Sequence, residues 1–256
     1  MISRILTIAK NTFRETLRDR ILLAALAVVI FIIGFSLFIG SISLEQDTRM
    51  IIDFGVTAIY LLQMFVAIFI GSMLIYKEVE RKTFYLLIPK PIRREEIILG
   101  KCLGLTATTF AVTLLSSIAL FAILLMKGSS DSILPILLSV TMSTVEAVIL
   151  ILLSILLSGL TSPILSAVYT IAFFLIGHSS EILRSLIMSA SSVVSRVMLE
   201  ITYYLLPNLE KFNIRNEIVY GTIPNIKALA FALCYGIFYS ALLFFLARLM
   251  FKHKEF

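Results

Sequence analysis

KEVERKTFYLLIPKPIRREEIILGK, residues 77–101, is a charged island between two long apolar segments. Seven of its residues are Lys or Arg, which predicts that it lies on the cytoplasmic side of a membrane. Twenty-five residues are too few for a domain. Val79, Phe84, Leu87 and Ile88 stand among the charges as a short amphipathic helix would place them, and such a helix is built to dock on something. Pro89 and Pro91 should end it, because proline lacks an amide donor and disfavours helix in the residue before it. From Arg93 to Gly100 a new helix should run straight into the membrane.

Working outward, the rest of the chain explains why a membrane is expected. Of 256 residues 59% are hydrophobic and the mean hydropathy is +1.02, well above the roughly 45–50% apolar share of soluble domains. Crossing about 30 Å of hydrocarbon takes roughly 20 apolar residues. Six segments qualify: 21–40, 54–76, 103–126, 134–157, 163–178 and 227–247. The fifth is short, and Gly177, His178 and Glu181 cut it off, so it either dips partway or continues into an interfacial helix. The fold class expected is all-α, a polytopic membrane protein in which residues 1–256 form a single transmembrane domain.

Charge orients the six spans. With both termini inside, the inner segments 1–20, 77–101, 158–162 and 248–256 hold 15 of the 22 Lys and Arg residues. Five of the other seven fall in 179–227, the longest loop, where the positive-inside bias counts least. The expectation is N-in, C-in, multi-pass, in the cytoplasmic (inner) membrane. Anionic membrane lipid beside the inner segments accounts for the net charge of +6, and no nucleic acid is needed as a partner. Cys102 and Cys234 read as small packing residues rather than a disulfide. The first apolar run lacks a small-residue cleavage site and reads as a retained helix.

Residues 1–20 place Ile2, Ile5, Leu6, Ala9, Phe13 and Leu17 on one helical face, opposite Lys10, Arg14 and Arg18. The reading is an interfacial helix on the inner leaflet, either a simple anchor or a lever that also touches a cytoplasmic partner. The outer segment 179–226 opens with a helical stripe from Leu183 to Leu205 that is too polar to span; it should lie on the outer leaflet or pack on a second copy. Pro207 and Asn208 should end that helix, and 210–224 should form a structured return loop.

Within the spans, Thr106, Thr109, Thr113 and Ser116 share one helical side, and Ser143, Glu146, Leu150 and Ser154 another. Small hydroxyl residues in lipid mark close helix packing or a translocation surface. Glu146 differs in kind, since a carboxylate at mid-span costs on the order of 2.5–3.5 kcal/mol, which predicts a position facing the interior. It is either functional or a neutral, hydrogen-bonded structural acid. Gln63 is a weaker instance. The candidate translocation path is therefore Glu146, Ser143, Thr109, Thr113 and Gln63. Gly100 and Gly104 fit a small-residue helix contact.

The sequence carries no phosphate-cradling loop, because Gly100–Lys101–Cys102 lacks both the upstream glycine and the hydroxyl residue. His178 and His253 are far apart and without a metal-ligand context. No histidine base is expected at the membrane depth of the serines, so the chain reads as non-catalytic.

The order Glu78, Glu80, Thr83, Leu86-Leu87, Pro91, Arg94 and Leu99-Gly100-Lys101 resembles the loop between spans two and three of ABC type-2 exporter permeases. Ile8 to Glu15 and Arg18-Asp19-Arg20 are similar to the leader of that family, most of all in the branch containing the permease of nitrous-oxide-reductase maturation. The resemblance covers the whole chain. It implies a permease that pairs with a second copy of itself and with two separate ABC ATPase subunits. No cofactor is bound directly; ATP and Mg come with the ATPase. Glu78, Glu80, Arg81, Lys82, Thr83, Leu87, Pro91, Arg93 and Arg94 become the coupling residues, with Arg81, Lys82, Arg93 and Arg94 touching the ATPase. Their alternative is a solvated positive-inside loop.

Two further readings stay open. One is an intramembrane enzyme acting on lipid or peptide, which requires paired polar groups at one depth. The other is an ABC-linked assembly protein that presents 179–226 to an extracytoplasmic partner without transporting cargo itself.

Overall fold

The computed structural model describes residues 2–42, 47–74, 94–190, 192–222 and 225–253. Helices joined by short turns make up these residues, and no strand occurs among them. The elements are α1 (Ile2–Leu17), α2 (Arg20–Ile42), α3 (Asp47–Phe65), α4 (Arg94–Met126), α5 (Ile133–Ser158), α6 (Pro163–His178), α7 (Ser180–Ser189), α8 (Val193–Leu205), α9 (Arg215–Val219) and α10 (Ile226–His253). A π-turn over Val66–Ile70 continues α3 to Leu74.

Five helices are long and apolar enough to cross a membrane: α2, α3 with its extension, α4, α5 and α10. The sixth candidate is broken, because α6 stops at His178 and α7 leaves at an angle of 66°. The early stop is the one expected from the shortness of the segment and from Gly177, His178 and Glu181. The second span is longer than its apolar core suggests, reaching back to Asp47 rather than residue 54. Asp47 bonds Lys127 at 3.3 Å across the turn between α4 and α5, so a charge that hydropathy excludes is part of the helix.

The centre of the bundle is α3 and α5. About two thirds of each is buried, against 22% of α2 and of α10. The outer helices present Phe31, Phe35 and Phe38 of α2 and Phe231, Phe238 and Phe245 of α10 to the surroundings, as apolar lipid-facing helices must.

Helix α1 does not simply float on a leaflet. It packs along the first turns of α4, and glycines make the contact close. A Cβ at Gly100 would lie 2.6 Å from Cβ of Ile8, and one at Gly104 would lie 2.6 Å from the Ala9 carbonyl oxygen. The expected apolar stripe is therefore split. Ile5, Thr12 and Thr16 are buried against α4, while Ile2 and Leu6 remain exposed. Thr16 is tolerated there because its hydroxyl bonds the Thr12 carbonyl at 2.8 Å.

The helix expected from Glu181 to Leu206 is two helices. Ala190 and Ser192 have extended backbones between α7 and α8. Serines cluster at this break, and their hydroxyls bond local carbonyls, Ser189 to Ser185 and Ser195 to Ser192, which offers the chain an alternative to continuous helix.

Candidate functional site

The return loop after α8 folds into the bundle. Leu209 and Phe212 on a 3-10 turn (Leu209–Phe212) are fully enclosed, and Ile214 and Ile218 are buried beside α9. Gly177 opens the space, since a Cβ there would stand 2.8 Å from the Pro207 carbonyl oxygen. The Asn208 backbone N–H donates to the Tyr235 hydroxyl of α10 at 2.9 Å. The halted α6 and the 3-10 turn of this loop pack on each other and on α5.

That arrangement brings charge to Glu146. Its carboxylate is wholly buried; Oε1 accepts the Tyr60 hydroxyl at 2.9 Å and faces Nε2 of His178 at 2.8 Å. The other imidazole nitrogen, Nδ1, faces Oε2 of Glu210 on the loop at 2.9 Å. Asn213 donates to Oε1 of Glu210 at 3.1 Å and accepts from Nε of Arg215. The Arg215 guanidinium in turn lies 3.6 Å over the Tyr60 ring, a cation–π contact. Three helices of the bundle, α3, α5 and α6, thus meet the loop at one place. Oε2 of Glu146 has no partner within the protein.

Polar groups continue along α3 toward the α1 end. Gln63 donates to Thr113 of α4 at 3.1 Å and to Thr144 of α5 at 3.0 Å, and its own oxygen is unpaired. Below it the π-turn, wider than ordinary helix, carries the Ala67 carbonyl, which accepts Ser154 at 2.9 Å. A Cβ at Gly71 would collide with that serine hydroxyl. Ser166 of α6 joins this group by bonding the Ser154 carbonyl and the Ser72 hydroxyl. Last, Lys101 is buried on α4 and donates to the Leu74 carbonyl at 3.1 Å.

The expected path residues divide accordingly. Glu146, Gln63 and Thr113 bond across helices, whereas Ser143 and Thr109 bond their own helix at Val140 and Leu105. Tyr60, His178, Glu210, Arg215, Ser72 and Ser166 were not anticipated, whereas Ser154 shares the helical side of Glu146 expected from the sequence. The sequence placed no histidine base at the depth of the serines, yet His178 does reach the depth of Glu146. His178 is 15 residues beyond Pro163 and Glu146 is 12 before Ser158, so helical rise puts them about 23 Å and 18 Å from the shared turn at 159–162. Its ring nitrogens face carboxylates and a phenol, not a serine. No group of three or more metal-ligating side chains occurs among the described residues. Of the coupling residues, Arg94 opens α4; Glu78, Glu80, Arg81, Lys82, Thr83, Leu87, Pro91 and Arg93 lie outside the described residues.

A polytopic helical bundle with an internal polar seam is the architecture of a membrane permease. The chain matches the family model described as "ABC-2 family transporter protein" over residues 6–253 and belongs to that family. Comparison with curated proteins found no significant match. The chain is thus a multi-pass protein of the cell membrane and the permease component of an ABC transporter, a family whose members work with an ATPase.

Proposed function

We propose that the chain forms the membrane half of an ATP-driven exporter. Two copies pair, and each receives a separate ATP-hydrolysing subunit at residues 77–101. In this reading α1 and that segment lie in the cytoplasm, and the loop 207–222 faces the outside. The coupling residues Arg81, Lys82, Arg93 and Arg94 engage the ATPase, and its closure on ATP moves the spans between inward and outward openings. ATP does work here only through its different affinity for those two states.

The observation that supports this most is the mounting of the segment at both ends. Lys101 ties the start of α4 to the last carbonyl of α3's extension, and α1 is seated on the same turns of α4. A push on the segment is therefore delivered to α3 and α4, the helices that carry Tyr60, Gln63 and Thr113. Glu146, Gln63 and Thr113 line the path in this account, while Ser143 and Thr109 serve packing.

The test is to co-express the chain with a candidate ABC ATPase subunit, purify the complex and measure ATP hydrolysis. Charge reversal at Arg81 and Arg94 is expected to weaken co-purification and to lower hydrolysis at least tenfold. Unchanged binding and unchanged hydrolysis would remove the docking assignment.

A second reading, force transmission to an extracytoplasmic partner without cargo, draws on α7 and α8. Val193, Val194, Met198 and Ile201 are exposed there, on an amphipathic pair outside the bundle. A complex that hydrolyses ATP only when such a partner is bound would favour it.

A further inference from the structure

Glu146, His178 and Glu210 form a line from the dry interior to the loop. The side chain of Glu146 is 0% exposed, that of His178 17% and that of Glu210 37%. Each imidazole nitrogen faces a carboxylate oxygen within 2.9 Å. A carboxylate offers only lone pairs, and a neutral imidazole has one N–H and one lone pair. With both acids ionised and the ring neutral, one of the two contacts would set lone pair against lone pair. The Tyr60 hydroxyl lies 2.9 Å from both Nε2 of His178 and Oε1 of Glu146 but carries a single proton, so with a neutral ring one carboxylate–imidazole contact still lacks a proton, and one additional proton on the line fills it.

We propose that this triad is a proton-binding site and that the bound proton fastens the loop 207–222 to the spans. Glu146 and His178 belong to α5 and α6, and Glu210 belongs to the loop, so lifting the loop breaks the Nδ1 contact and leaves the extra proton without its second acceptor. The closed form binds one proton more than the open form. Lower pH therefore favours closure, and raising the pH releases the loop, with the opening constant growing up to tenfold per pH unit for a single linked proton. The other charged and titratable groups facing the line are Tyr60 from α3, whose hydroxyl is 2.9 Å from both Oε1 of Glu146 and Nε2 of His178, and Arg215 from α9 over the Tyr60 ring. Lys211 on the loop points instead at the Tyr235 ring of α10, 4.2 Å away. Arg215 offsets one carboxylate, and the shared proton offsets the other, so the enclosed group is neutral as a whole only when it is protonated. This inference concerns the chain alone and holds or fails without any ATPase.

Hydrogen exchange of the full chain in lipid nanodiscs tests it. Exchange rates of the 207–222 amides, divided by the intrinsic rates at each pH, give the opening constant from pH 5 to 10. It is expected to rise with pH with a limiting slope of one proton, and to be raised roughly tenfold at low pH and flattened in His178→Gln, which removes the charge-assisted bonds. Glu210→Gln, at the more exposed end of the line, is expected to flatten the profile while leaving the spans protected. A wild-type opening constant that stays level from pH 5 to 10 overturns the proposal, whatever the variants do. A wild-type slope retained in both variants overturns it as well.

Discussion

Ser154 of α5 donates a hydrogen bond to the carbonyl of Ala67 at 2.9 Å, and Gly71 is the residue that leaves room for it. The two central helices are joined at this point through a π-turn, the one stretch among the described residues where α3 departs from α-helical winding. Such turns concentrate at working positions of helices.

Gly71→Ala should cost about 1–3 kcal/mol, because the new methyl must displace the serine. Ser154→Ala alone removes one buried hydrogen bond, worth about 1 kcal/mol. Combined, the two should cost clearly less than their sum, since the colliding oxygen is gone. Thermal unfolding of the four variants of a double-mutant cycle measures the coupling, and strict additivity would show that the glycine is not there for the serine.

Gly104→Leu should dislodge α1. The added side chain meets the Ala9 carbonyl and Thr12, and overpacking of this kind costs about 1–3 kcal/mol. Hydrogen exchange over residues 2–17 should speed up selectively. Gly34→Ala is the control: nothing lies within 4 Å of its would-be Cβ, and the helix should gain up to about 1 kcal/mol from propensity.

Glu146→Leu should fold poorly. It removes the acceptor shared by the Tyr60 hydroxyl and Nε2 of His178 and leaves these two only each other on that side, and losing one partner of a buried charged pair costs about 3–5 kcal/mol. Glu146→Gln keeps an acceptor for Tyr60 and should lose much less, which expression level and melting temperature in detergent will separate. If both variants melt together, the carboxylate is not organising its neighbours.

Lys127→Ala should hardly matter, changing stability by less than about 0.5 kcal/mol. Its bond to Asp47 is 3.3 Å long between side chains 36% and 39% exposed. A melting shift comparable to that of Glu146→Leu would contradict this ranking.

What the sequence made legible was whatever composition and period encode. The apolar lengths located the spans, Pro207 and Asn208 ended α8 as expected, and the glycines at 100 and 104 read as a close contact, although not that α1 would be the element seated on them. The mid-span cost of a carboxylate marked Glu146. Its partners were hidden for a physical reason. Tyr60 looks like any aromatic in a span, and His178 looks like the polar end of a short one until helical rise places it level with Glu146. Glu210 and Arg215 belong to a loop whose inward fold is signalled only by Leu209, Phe212, Ile214 and Ile218 spaced among charges. Thr109 and Ser143 misled because a hydroxyl that bonds its own helix and one that bonds a neighbour have the same period.

The most direct measurement for the whole account is the sidedness of residues 77–101. In a chain with Cys102 and Cys234 replaced by alanine, single cysteines at Lys82 and at Asn216 would be labelled with a membrane-impermeant maleimide in right-side-out and inverted vesicles. The account predicts that position 82 reacts only in inverted vesicles and position 216 only in right-side-out ones. Labelling of position 82 from the outside would put the charged segment beyond the reach of any ATPase and contradict the coupling mechanism.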